Sequence, residues 1–435
     1  MRQKIERGKT LLVDGPACVA LHSGTVIAFG ANINAKKHVI VRFGKRIPLE
    51  ALEDSEVEIL LGDKASYEVI DGSPIPPSWE ETSEKILSSN DKVKVAVLGS
   101  TDSGKSSFST YLANIALNKG HRVALIDGDL GQSDIGPPGT LGLSILKEPI
   151  TDPSNLQPDH LIFIGITSPQ SVVSKVIGGL MGLINRALRM GSDFIIINTD
   201  GWVEGEDAIN YKRQLIRALN PTFAVILWGK GNLTSLMNSL AEDKVNVLLT
   251  DTPEKIKKRD RETRKAIREG LYRKYLRDAK IRSVPLNWVK LDGTFTIRGK
   301  PDPNLKRRFE EILNGKAVYC ESAQDCIVLV LRSGATLGDE EKSRIFTAFN
   351  VPIKIIFEGS ERGLLVSLED EEGRFLGIGT IYCIDYERGT IKIYTNISDF
   401  LRVHTGRIRL DEKGNEIGVI EEGALYILLQ KGITP

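Results

Sequence analysis

Residues 99–106 read Gly99-Ser100-Thr101-Asp102-Ser103-Gly104-Lys105-Ser106, the glycine, lysine and serine spacing of a phosphate-binding loop. An apolar run from Val93 to Leu98 precedes it and predicts a buried strand. Ser107 to Lys119 follows, with Phe108, Leu112 and Ile115 at helical spacing and Gly120 as a stop. Strand, loop and helix are the context this motif requires. Glycines let successive backbone N–H groups turn inward onto phosphate oxygens, and a helix N-terminus favours an anion. Residues Gly99 through Ser107 are therefore expected to hold a nucleoside triphosphate. Lys105 would neutralise its outer phosphates, and the Ser106 hydroxyl would ligate Mg²⁺.

Outward from this loop the chain alternates buried strands with longer helical stretches. Val123–Ile126, Leu161–Ile164, Phe194–Ile197, Phe223–Leu227 and Val245–Leu249 are rich in Val, Ile and Leu and lack apolar–polar alternation. That pattern predicts an α/β core with helices on both faces of a parallel sheet. Residues 1 to about 72 instead show short apolar segments between turn signals, with Val26–Phe29 and His38–Val41 as strands. A Pro-rich stretch, Asp71 to Pro77, reads as a stiff linker. Past residue 284 short β-like runs return, and Glu412-Lys413-Gly414-Asn415 marks a hairpin. The expected layout is an N-terminal β domain (1–85), a central P-loop domain (86–283) and a C-terminal β-rich domain (284–435).

Composition narrows the class. The chain has 435 residues, 41% hydrophobic, and contains no apolar run long enough to span a bilayer. Its charged start, MRQKIERGK, lacks an apolar signal core, so secretion is not expected. Cys18, Cys320, Cys326 and Cys383 are scattered and form no CxxC pair. This predicts neither a zinc site nor a disulfide framework, and suits a reducing cytoplasm. Net charge is only +1, yet residues 255–282 carry thirteen Lys or Arg against four Asp or Glu. Such concentration predicts a local anion-handling surface.

Three strand-end loops carry further chemistry. Asp127-Gly128-Asp129-Leu130-Gly131-Gln132 ends a strand expected beside the P-loop strand, where Mg²⁺ and the attacking nucleophile meet. Two carboxylates allow one to hold the metal's water shell and the other to accept a proton. A turn-capping role would account for Asp127 alone, not for the whole run. Gly165-Ile166-Thr167-Ser168-Pro169-Gln170 and Asn198-Thr199-Asp200-Gly201-Trp202-Val203-Glu204-Gly205 end two more strands on the ligand side of the sheet. Trp202 is either a packing residue or a platform for a base, worth about 1–3 kcal/mol per stacked base. In the basic segment, Arg261, Arg264 and Arg268 share one helical face and suit a lid that clamps a migrating phosphoryl group.

Taken together, GSTDSGKSS (99–107), DGDLGQSDIGPPGT (127–140), GITSP (165–169) and NTDGWVEG (198–205) resemble the polynucleotide 5′-hydroxyl kinase family. That family includes the kinase subunit of eukaryotic pre-mRNA cleavage and tRNA-splicing complexes and its archaeal relatives. The resemblance implies ATP and Mg²⁺ as cofactors, with Asp127, Asp129 and Ser106 around the metal. It implies that Asp129 activates a 5′-hydroxyl, that Gln132 and Thr167 lie at the substrate, and that Trp202 holds the RNA end. Arg268 aligns with a lid arginine, whose partner is Arg264 or, by direct alignment with eukaryotic members, Thr263. The N-terminal domain would help hold the adenine. The implied partners are single-stranded RNA or DNA 5′ ends and proteins of RNA processing, with no membrane.

Three other readings use the same P-loop: an ATP-binding scaffold without catalysis, a dimer-activated regulatory ATPase, and a small-molecule kinase. A scaffold would lack the lid arginines or an Asp129 equivalent, a regulatory ATPase leaves Trp202 and the basic segment unexplained, and a small-molecule kinase does not account for the two flanking β domains. Trp202→Ala should weaken polynucleotide use more than ATP binding, and equal losses in both titrations would count against stacking.

Overall fold

In the computed structural model the P-loop strand, β1 (Val93–Leu98), lies inside a seven-stranded sheet. The model describes residues 1–35, 37–89, 92–229, 233–243, 245–323, 325–349, 351–421, 423 and 425–429. The other strands of this sheet are β2 (Val123–Gly128), β3 (Thr140–Ile145), β4 (His160–Phe163), β5 (Phe194–Thr199), β6 (Phe223–Trp228) and β7 (Val247–Asp251). Their spatial order is β4-β3-β2-β5-β1-β6-β7. Strands β2, β5, β1, β6 and β7 are parallel, which makes the core mixed α/β with a parallel sheet as expected.

Two details differ from the sequence reading. β3 was not anticipated; it pairs antiparallel with both β2 and β4. Its residues, Thr-Leu-Gly-Leu-Ser-Ile, follow Gly136-Pro137-Pro138-Gly139 and read locally as loop. The acidic strand β2 is also not beside β1, because β5 lies between them. Adjacency in a doubly wound sheet is set by crossover connections, to which local periodicity is blind.

Both faces of β5 are buried. Phe194 and Ile196 share a core with Phe108 and Leu112 of α2 (Lys105–Asn118). Ile195 and Ile197 pack with Leu180 and Leu183 of α3 (Val173–Arg189) and Leu215 of α4 (Glu206–Leu219). Double burial explains why these strands lack alternation.

Residues ahead of the core form two antiparallel sheets. One has the order Arg2–Ile5, Ser55–Leu61, Ala17–Ser23, His38–Val41; the other runs Ala31–Ile33, Val26–Ala28, Arg46–Ala51, Lys9–Asp14, Ser66–Asp71. Their apolar faces, including Leu11, Val13, Val19 and Val57, belong to the same cluster as Phe108 and Val97. The Pro-rich stretch leads into helix α1 (Pro77–Leu87), whose Trp79 is fully buried edge-on against Phe108 at 5.3 Å. All of this lies in one compact unit, Met1–Arg268.

The second unit begins at Glu269. It contains a largely antiparallel seven-stranded sheet and a four-stranded sheet. Helices Pro303–Leu313 and Asp339–Ala348 cover the smaller sheet through Phe309, Leu313 and Ile345. The expected hairpin joins Arg402–Leu410 to Glu416–Val419. Among the described residues no helix is long and apolar enough to cross a membrane.

One buried amide ties the first unit together. Asn114 Nδ2 on α2 donates to the carbonyls of Phe29 and Ile150, each at 2.7 Å, and its Oδ1 accepts from Ile150 N–H at 2.9 Å. Asn114→Ala would strand three buried backbone groups, at about 1–3 kcal/mol for each group left unsatisfied. Urea denaturation of the full chain should show an earlier first transition, and Asn114→Leu should not restore it. Recovery by leucine would mean that volume, not hydrogen bonding, matters at this position.

Candidate active site

The strand order decides which side chains meet. Val97 of β1, Asn198 of β5 and Asp127 of β2 are register neighbours across three parallel strands. Asn198 Nδ2 stands 3.3 Å from both Ser106 Oγ and Asp127 Oδ1, so it links the P-loop to the acidic loop. Its own Oδ1 is buried with no partner among the described residues. Ser106, Asp127, Asp134 and Asn198 line a small cavity together with Leu125, Ile135 and Pro153. Its oxygen donors, the Ser106 hydroxyl, the Asp127 carboxylate and the unmatched Asn198 Oδ1, are of the kind a hard divalent cation such as Mg²⁺ takes.

The two carboxylates of the acidic loop are placed differently. Asp127 is buried and its Oδ2 accepts the N–H groups of Asp134 and Ile135 at 2.5 and 3.1 Å, while Oδ1 accepts that of Asp129 at 3.2 Å. It thus shapes the loop as well as facing the small cavity. Burial, with Asp134 and Asp129 close by, pushes its pKa up. Burial also works against Asp134, but the Lys45 ammonium (2.7 Å) and the Arg42 guanidinium (3.0 Å) hold its carboxyl well below the usual range. Asp129 Oδ1 accepts the N–H groups of Gly131 and Gln132, and its Oδ2 takes no hydrogen bond from the described residues. Burial raises its pKa, Lys105 opposes that, and Asp200 adds to it. A carboxylate so recessed is suited to accepting a proton.

The P-loop is curled as its glycines predict. Gly104 has φ +96°, and a Cβ there would stand 3.2 Å from Pro253. Lys105 is almost buried, its Nζ donating to the carbonyls of Gly99 and Ser100 at 3.0 and 2.7 Å. Burial brings its pKa down to about 8, with nearby Lys212 acting in the same direction against Asp129, Asp200 and Asp102. A cavity opens over Thr101–Ser107, with Asp129 and Gln132 on its wall. Leu12, Phe29, Pro48, Pro74, Ile75 and Trp79 add an apolar portion to its lining. These side chains, from the N-terminal sheets, the Pro-rich stretch and the helix after it, were out of reach of residue-by-residue sequence reading. The backbone cradle and the apolar part of the lining together fit a nucleoside triphosphate.

Thr167 lies next to the acidic loop: a Cβ on Gly131 would come within 2.9 Å of its carbonyl oxygen. Gly201 packs directly on the P-loop, where a Cβ would meet Thr101 atoms at 2.6–2.8 Å. Any side chain at that position would lift the following Trp202 away. The Trp202 indole is half-buried and lies parallel to the Tyr211 ring at 5.5 Å. Asp200 organises this pair. Its Oδ1 accepts Trp202 N–H (3.0 Å), and its Oδ2 accepts both Tyr211 OH (2.8 Å) and Lys212 Nζ (2.9 Å). Arg264, on helix Arg261–Tyr275, reaches back to Asp102 at 2.9 Å. Arg268 lies one turn further along, half-buried, and neither arginine lines the large cavity. Sequence reading gave no role to Asn198, Tyr211 and Lys212; the signal was that Asn198 opens the NTDGWVEG run and that the other two follow it closely.

The chain matches the family model described as mRNA cleavage and polyadenylation factor CLP1 P-loop over residues 99–278. It is 30% identical over 359 residues to a polyribonucleotide 5′-hydroxyl-kinase of Methanocaldococcus jannaschii, covering 81% of this chain and 96% of that protein. A polyribonucleotide 5′-hydroxyl-kinase of Pyrococcus horikoshii is 27% identical over 361 residues, covering 81% and 95%. Among solved structures, Clp1p in its complex with Pcf11p superposes with a TM-score of 0.64 at 13% identity, covering 94% of this chain and 97% of that one. That likeness shows a shared fold.

Lys212 is fully buried and its ion pair with Asp200 is nearly so. Burial lowers the lysine's pKa, and Asp200 works against that. Lys212→Met would leave a buried charge uncompensated, at a cost of about 3–5 kcal/mol. The Lys212→Met/Asp200→Asn double variant should recover most of the lost urea midpoint; losses that simply add would mean the two residues are not coupled.

Proposed function

Because the chain belongs to the polyribonucleotide 5′-hydroxyl-kinase family, we propose that it transfers the γ-phosphate of ATP to the 5′-hydroxyl of RNA. The observation that carries this reading is the position of Asp129. It shares one cavity wall with the P-loop, recessed, with an oxygen not consumed by its own loop.

In this reading Gly99 to Ser107 hold the triphosphate, and the apolar part of the cavity lining takes the base. Ser106 and Asp127, with Asn198, would hold the metal ion, and Asp129 would follow them in the acidic loop. Mg²⁺, when bound, neutralises charge on the β- and γ-phosphate oxygens. Asp129 accepts the proton of the RNA 5′-hydroxyl as its oxygen attacks phosphorus in line. Lys105, Arg264 and Arg268 stabilise charge that grows on the transferred group. Gln132 and Thr167 border the acceptor, and Trp202, backed by Tyr211, offers a face for a terminal base. Nothing in these loops reads a 2′-hydroxyl, so a DNA 5′ end is a second acceptor to be tried.

We also assign the three-part layout, an N-terminal β domain, the P-loop domain with its basic lid and a C-terminal β-rich domain, to this activity. The scattered free cysteines suit a cytoplasmic enzyme, and proteins of RNA processing are its expected partners.

The test is transfer of labelled γ-phosphate from ATP to a short 5′-hydroxyl RNA, with a 5′-phosphorylated control. Label should appear on the hydroxyl RNA alone. Asp129→Asn should lower kcat by roughly 10²–10⁴ while ATP affinity holds. Normal turnover in that variant would remove Asp129 as the base. No transfer by the wild-type chain, with ATP tightly bound, would favour a non-catalytic scaffold.

A further inference from the structure

The motif that marks the P-loop leaves its fourth residue open, and here that residue is a carboxylate. Asp102 is an odd choice for a loop that receives phosphate. It sits at φ +56°, and its side chain is 6% exposed. Alone it would repel an incoming triphosphate.

It is not alone. Asp102 Oδ1 accepts from Arg259 Nε at 2.8 Å and from Arg259 Nη2 at 2.6 Å. Its Oδ2 accepts the Arg259 backbone N–H at 3.0 Å and Arg264 Nη2 at 2.9 Å. Two guanidiniums on one carboxylate reverse the sign of the loop's mouth. Burial works against ionisation of Asp102, but the two arginines keep its carboxyl below the usual range.

Arg259 keeps a donor in reserve: its Nη1 has only a long contact, 3.4 Å, to Gln132 Oε1. Arg264 Nε, in contrast, is buried with no partner among the described residues. Arg259 lines the large cavity together with Lys105, Asp129 and Gln132. The segment that carries it is pinned from behind: Arg46 Nη1 donates to the Lys255 carbonyl at 3.0 Å, and Lys257 pairs with Asp14 at 3.4 Å.

We propose that Arg259 is a further phosphate-contacting residue of this active site, and that Asp102 is a positioning residue that holds Arg259 and Arg264 over the place of the terminal phosphate. Asp102 thus acts as a built-in anion that sets both guanidinium forks before the nucleotide arrives. The contact to Gln132 ties the same arginine to the acceptor side. This assignment rests on the kinase reading for its acceptor, but not for its nucleotide.

The experiment therefore measures binding and turnover separately. Titrations of Mg²⁺·ADP and of a non-hydrolysable Mg²⁺·ATP analogue are made on wild type, Arg259→Ala, Arg259→Lys, Asp102→Asn and the Arg259→Ala/Asp102→Asn double variant. Arg259→Ala should lose roughly tenfold or more of the preference for the triphosphate, the scale of one charge-assisted hydrogen bond, with ADP affinity moved less than twofold. Arg259→Lys, which keeps charge without the fork, should fall between. Asp102→Asn, a residue that tolerates positive φ, should lose preference in the same direction and add less than twofold in the double variant. In the RNA assay, Arg259→Ala should lower kcat about 10²-fold or more with little change in KM for RNA. Unchanged triphosphate preference, equal weakening of both nucleotides, or independent losses in the double variant would each overturn the proposal. Absence of RNA phosphorylation in the wild type would instead remove the kinase reading, and the titrations would still decide the role of Arg259.

Discussion

Carboxylates crowd the carboxyl edge of the central sheet, and the fold is organised around keeping them compensated. Asp134 is matched by Lys45 and Arg42, Asp200 by Lys212, and Asp102 by Arg259 and Arg264. Asp129 has Lys105 as its nearest favourable charge, and Asp127 relies on backbone N–H groups and Asn198. Uncompensated negative charge at low dielectric is costly. Pairing three carboxylates fully and two partly leaves the partly matched pair, Asp127 and Asp129, as the groups whose pKa values rise. Those two face the cation and the acceptor.

Several of the compensating cations come from outside the α/β core. Lys45 and Arg42 project from the N-terminal sheets onto Asp134, seven residues beyond Asp127 in the acidic loop. Arg46 and Asp14 of the same sheets grip the segment that leads into helix Arg261–Tyr275. The N-terminal sheets and their turns thus contribute part of the apolar lining of the large cavity, the counter-ions of the acidic loop and an anchor for the arginine-bearing segment. A shared apolar cluster with the helix that follows the P-loop makes these contacts part of one core.

Much of this was legible beforehand. Doubly buried strands carry a strong local signal, and all six expected core strands formed within a few residues of their expected bounds. The P-loop and the three strand-end loops were placed on the ligand side of the sheet because glycine, acidic and aromatic residues cluster at strand ends. The order β2-β5-β1 was not legible, nor was antiparallel β3. Asn198 reads as an ordinary strand-end polar residue until it stands between Ser106 and Asp127. Asp102 reads as a variable loop position until Arg259 closes on it.

The sequence by itself determined the elements whose information is local: the phosphate cradle, the buried strands, the acidic run and the basic stretch. Each depends on spacing within a few residues, where periodicity and turn chemistry act. The tertiary structure alone decided which of these meet. Asp102 and Arg259 are 157 positions apart, Ser106 and Asn198 are 92 apart, and Lys45 and Asp134 are 89 apart. Such pairs form only once the crossovers and the packed N-terminal sheets have set strand order, because charge compensation across that distance is a property of the folded core.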